Sequence, residues 1–263
     1  MARWPSERGT WVIVGLSWTA GTAPAALGRG FGPDLLLGAA IFCGVMAREP
    51  LVWSLWRRTH KVAPSAEWRR GAAWAAAALV LTASWWHAHP LPVQRAGLAL
   101  ALLGVGWDSA MRLVRASAWW PGVAGSACTS AGVYLAALAT PLAPATWLAA
   151  AGIGYAVGCT MCAMGVYTSR VPRSRPAGVT VSTRLLWGWS AGGGVSLAVA
   201  GMTTGCLAMP AVALGMGLLH AELAHEQPRT LDFRRLGWQE TVWLATVVAL
   251  ILWMAGWGPT PAP

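Results

Sequence analysis

From Arg48 to Arg70 the chain reads REPLVWSLWRRTHKVAPSAEWRR, which gathers six of its nineteen Lys and Arg residues between two strongly apolar segments. That layout is expected of a cytoplasmic hinge joining two membrane helices, because basic loops beside apolar spans stay on the inner side. The rest of the chain repeats it. Only 11% of the 263 residues are charged and 56% are hydrophobic, where a soluble domain carries about 25% charge. A helix needs about 20 apolar residues to cross a bilayer, so there is room for eight to ten crossings in one domain spanning 1–263.

Net charge is +10, but the basic residues fall in short bursts between apolar runs, not on one polar arm or face. Nucleic acid is therefore not an expected partner, whereas membrane lipids are. Five cysteines, Cys43, Cys128, Cys159, Cys162 and Cys206, all lie in apolar segments. An odd number so placed does not describe a secreted disulfide framework. Cys159 and Cys162 form a CxxC with no second Cys or His pair nearby, and packing is the expected role.

The apolar run 11–27 is expected to be the first helix, although TAPAA offers small residues of the kind found at a signal cleavage site. The second helix spans about 34–55, with Pro50 able to kink or end it. Further helices are expected at 71–86, 93–107, 119–139 and 146–167. The apolar run 185–223 would measure about 58 Å as one helix, against a hydrocarbon core of about 30 Å. It must break near 203–210. A last helix is expected from Glu240 to Trp257.

Nine helices with the N-terminus inside place seventeen of the nineteen basic residues in the cytoplasm and leave only Arg29 and Arg95 outside. Adding or removing one helix inverts every later loop and destroys that bias. The expected fold is therefore all-α, a polytopic transmembrane bundle of about nine helices with the C-terminus outside. A bacterial inner membrane is the expected location.

Signatures of soluble chemistry are missing, with no phosphate-binding glycine loop, GxSxG, HExxH or Asp-rich pair. The nine acidic residues fall at expected helix ends or in loops, where solvated roles are ordinary, and Asp108 stands four residues before Arg112 as a local ion pair. With no ionisable residue at a helix centre, an ion-coupled transporter is not favoured. His87 and His89 fall on the outer side and His60, His220 and His225 on the inner, so bis-His haem is not favoured either. HAELAHE, from His220 to Glu226, is expected to be the polar end of a helix and not a metal site. GIGYAVG is read as helix packing through Gly154 and Gly158. No metal or other cofactor is expected.

Several short motifs carry a family resemblance. PSERGTW, from Pro5 to Trp11, resembles the EHGxW opening of YwiC-like bacterial membrane proteins, with Arg8 standing where that family has His. Ala47 to Leu51 is similar to its Arg-Pro-Leu segment, Val166 to Arg175 to its basic segment after helix six, and RRLGWQE, from Arg234 to Glu240, to its C-terminal signature. The resemblance covers essentially the whole chain and implies an integral membrane protein of unassigned activity.

The nine-helix layout is also similar to that of UbiA-type prenyltransferases, whose Asp-rich loops after helices two and six hold magnesium against a prenyl diphosphate. Here those loops offer Arg170, Arg173 and Arg175, and only Glu49 and Glu67, which is no carboxylate cage. A binding or accessory component is thus expected in place of an enzyme, its partner an isoprenoid or other lipid headgroup held by arginines. A degenerate transferase or lipid-processing enzyme, a redox-complex subunit and a transporter are the alternatives. Motif position and side of the membrane nominate Glu7, Arg8, Arg48, Glu49, Arg170 and Glu240 for the headgroup site.

Overall fold

A computed structural model of the chain describes residues 14–22, 34–59, 67–88, 91–113, 120–138, 144–170, 183–204, 208–226 and 233–253. Among these, every element is a helix and none is a strand. Helix α1 covers 14–22, followed by α2 (Asp34–Thr59), α3 (Glu67–Ala88), α4 (Pro92–Leu113) and α5 (Trp120–Ala137). Then come α6 (Pro144–Arg170), α7 (Thr183–Thr204), α8 (Ala208–Glu226) and α9 (Phe233–Leu252).

The break in the long apolar run falls between Thr204 and Ala208, where the length argument required one. Among the boundaries that differ from expectation, two bear on the site. Helix α2 passes through Pro50 to Thr59, even though Pro50 cannot donate to the Met46 carbonyl. Helix α3 packs there, with Gly71 so close that an added Cβ would lie 3.0 Å from the Pro50 side chain. Helix α9 starts at Phe233, seven residues before Glu240, so Glu240 lies two turns inside the helix and not at its start.

Helix α6 is the hub, touching α5, α7, α8 and α9, while α4 pairs with α5 and α2 with α3. The main cluster joins Tyr134 and Leu135 of α5, Ile153 and Val157 of α6, and Leu244, Val248 and Ile251 of α9. Small residues set the spacing. On α4, Gly97, Ala101, Gly104 and Asp108 face Ala136, Gly132, Thr129 and Gly125 of α5, in antiparallel order, and a Cβ on either row would strike the other helix's backbone. Such close approach gains dispersion and Cα–H···O contacts between the two backbones. Gly154 and Gly158 serve packing as expected, the first against Ala127 of α5 and the second against the Trp189 ring of α7.

The outer surface is apolar. Leu79 and Val80 of α3, Leu103 of α4, Met202 of α7 and Val242 of α9 are each at least 60% exposed. By length and composition, two of the described helices, through Leu35–Leu55 and Thr146–Val166, are apolar enough to cross a membrane. Helices α3 to α5 and α7 to α9 are 18 to 22 residues long and rich in Ala, Gly and Trp.

Candidate functional site

Four of the charged or titratable side chains within the helices form two pairs between helices. In the first, the Arg48 guanidinium of α2 contacts the Asp108 carboxylate of α4. Asp108 can sit there because Gly122 and Gly125 of α5 present no side chain against it, and a Cβ on Gly125 would lie 3.0 Å from the Asp108 Cβ. Asp108 thus meets a cation from another helix, whereas the pairing expected from sequence was with Arg112 on its own helix. The side chain of Arg112 lies outside the described residues.

The second pair joins α8 to α9. His220 Nε2 lies 2.9 Å from Glu240 Oε1 in hydrogen-bond geometry and 2.8 Å from Oε2, off the hydrogen-bonding direction of that oxygen. Both residues are buried, at 3% and 6% exposure, so Glu240 is not the solvated helix-end group expected from the sequence. The imidazole stacks on Trp243 with ring centroids 5.0 Å apart. Its Nδ1 has no hydrogen-bond partner among the described residues.

A separate set of polar groups lies at the α6–α7 junction. Cys159 Sγ is 3.7 Å from Ser190 Oγ. The Tyr155 hydroxyl donates to the Ser190 carbonyl at 2.7 Å, and Trp189 Nε1 donates to the Tyr155 carbonyl at 3.2 Å. The Tyr155 ring enters a slot between Gly193 of α7 and Gly217 of α8, where any side chain would collide with it. The CxxC is therefore part of the packed core, with both thiols buried and free.

A third group is exposed, at the facing ends of α2 and α3. The Arg57 guanidinium lies 6.0 Å from the Trp53 ring centroid and that of Arg58 5.6 Å from Trp68. Arg69 and Arg70 stand exposed on the adjoining turn of α3. Such pairs combine positive charge with interfacial aromatics. At the other end of α3, Arg95 of α4 stacks 5.0 Å from the Trp86 centroid.

Of the residues nominated from sequence, Arg48 and Glu240 are placed in separate buried pairs. Glu49 and Arg170 lie on α2 and at the last residue of α6, with side chains outside the described set, and Glu7 and Arg8 fall outside it entirely. Sequence reading missed Asp108 and His220 as partners. Their partners stand 60 and 20 positions away in the chain, and the signal that could have found them is charge inside otherwise apolar helices. No three His, Cys, Asp or Glu residues among those described converge to hold a metal ion. No known protein family, curated protein or solved structure matches the chain.

Proposed function

We propose that this chain is a multi-pass membrane protein of the YwiC-like kind, its nine helices crossing a bacterial inner membrane with the basic loops inside. It acts as a binding or accessory component that holds an anionic amphiphile, an isoprenoid or other lipid headgroup, at its cytoplasmic edge. The observation that carries this reading is the cluster of exposed Arg58, Arg69 and Arg70 with half-buried Arg57, around Trp53 and Trp68. Arginines supply charge-assisted hydrogen bonds to phosphate or carboxylate, and indoles anchor at headgroup depth. The apolar outer surface supports the lipid setting.

Arg48 is not the headgroup ligand in this reading, because its guanidinium neutralises Asp108. The test is native mass spectrometry of the detergent-purified protein beside the variant Arg58→Gln/Arg69→Gln/Arg70→Gln. A defined anionic adduct on the wild type that the variant loses is the expected result. An unliganded wild type, or an adduct indifferent to the three changes, contradicts the proposal.

A further inference from the structure

The buried His220–Glu240 pair plays no part in a surface headgroup site, and it differs in kind from Arg48–Asp108. A guanidinium does not give up its proton in proteins, so Arg48–Asp108 is a fixed charge pair. Imidazole and carboxylate both titrate. We infer that His220 and Glu240 together form a proton-exchange site inside the bundle, taking up and releasing one proton as a unit.

The argument is a count of protons. Nε2 faces the carboxylate at 2.8–2.9 Å, and Nδ1 of His220 and Oε2 of Glu240 are buried without a hydrogen-bond partner among the described residues. The pair has three net-neutral forms: imidazolium facing carboxylate, Nδ1–H imidazole accepting from a carboxylic acid through Nε2, and Nε2–H imidazole donating to a carboxylic acid protonated on Oε2. The first two leave Nδ1–H, and the third Oε2–H, as a buried donor that meets no acceptor, which is destabilising. Removing one proton leaves Nε2–H donating to a carboxylate and no orphan donor, but it leaves a buried net negative charge, also costly. Every neutral form carries an orphan donor that the charged form lacks, and the charged form carries a charge that the neutral forms lack.

The surroundings leave that balance open. The titratable groups of α6 near the pair are Cys159, within reach of Glu240, with Cys162 and Tyr155 on the same helix. Helix α7 contributes the non-titrating Ser190 and α9 the Trp243 ring. On α8, Glu222 is exposed, and among the described residues no Lys or Arg pairs with Glu240. His220 is six residues from the end of α8 and Glu240 seven from the start of α9, so about 10 Å of helix separates the pair from the loop joining them. Deeper along α6, Cys159 and Tyr155 bond to Ser190 of α7.

The test is infrared difference spectroscopy of the lipid-reconstituted full chain across a pH titration. A carboxylic C=O band should appear on acidification and be lost in Glu240→Gln, and its midpoint should move in His220→Gln. Glu240→Asp keeps a titrating carboxylate and should retain the band at a shifted midpoint, which covers the case in which the Gln variant does not fold. A wild-type spectrum without a titrating carboxyl, or a band identical in all variants, overturns the inference. Neither outcome depends on whether an anionic amphiphile binds at the α2–α3 arginines.

Discussion

At the scale of single residues, the two buried pairs carry most of the charge that the helices take inside. Removing one partner of a buried ion pair leaves the other uncompensated, and such losses cost about 3–5 kcal/mol. Asp108→Ala should therefore lower stability by about that amount, read as a fall in thermal midpoint in detergent. Replacing both members with Arg48→Met and Asp108→Leu should recover much of it. If the single and double variants unfold alike, the pair is not the inter-helix tie described here. Tyr155→Phe removes one hydrogen bond to the Ser190 carbonyl and keeps the ring in its glycine slot, so a loss of only about 1 kcal/mol is expected. These partners were not legible in the sequence, because local spacing offers Asp108 the nearby Arg112 and says nothing of Arg48.

At the scale of elements, helix existence was legible and helix ends were not. A largely apolar stretch of 39 residues from Leu185 to Leu223 is too long for one membrane helix, and the break falls where that length demanded it. The start of α9 was misplaced because Arg234, Arg235 and Glu240 resemble a polar loop, whereas their helical turn extends beyond the apolar stretch. Charge marks a membrane boundary but not a helix boundary. The α4–α5 contact rests on backbones brought together by Gly97, Gly104, Gly125 and Gly132. A bulky side chain there must separate the helices, so Gly132→Leu should abolish the folded, detergent-stable form on size-exclusion chromatography. Gly106→Leu, at a position with nothing within 4 Å of an added Cβ, should leave it intact.

At the scale of the whole molecule, the exposed apolar side chains fit the lipid setting proposed above. In water, side chains such as Leu79, Leu103 and Met202 would form an aggregation-prone surface. In a bilayer the same exposure has little cost. The all-helical architecture was readable because long apolar runs are a property of the sequence itself. The buried pairs were not, because they depend on which helices meet.

Sidedness is also where the account is most directly open to contradiction. Helices α3 and α4 meet at an end proposed to lie outside, and α2 and α3 at one proposed to lie inside. Single cysteines at the exposed positions Ala88 and Arg69, in a background lacking the native cysteines, can be probed in spheroplasts with a membrane-impermeant thiol reagent. The account predicts labelling of Ala88→Cys in intact spheroplasts, and of Arg69→Cys only after permeabilisation. Labelling of Arg69→Cys from the outside would contradict the topology and the cytoplasmic headgroup site that depends on it.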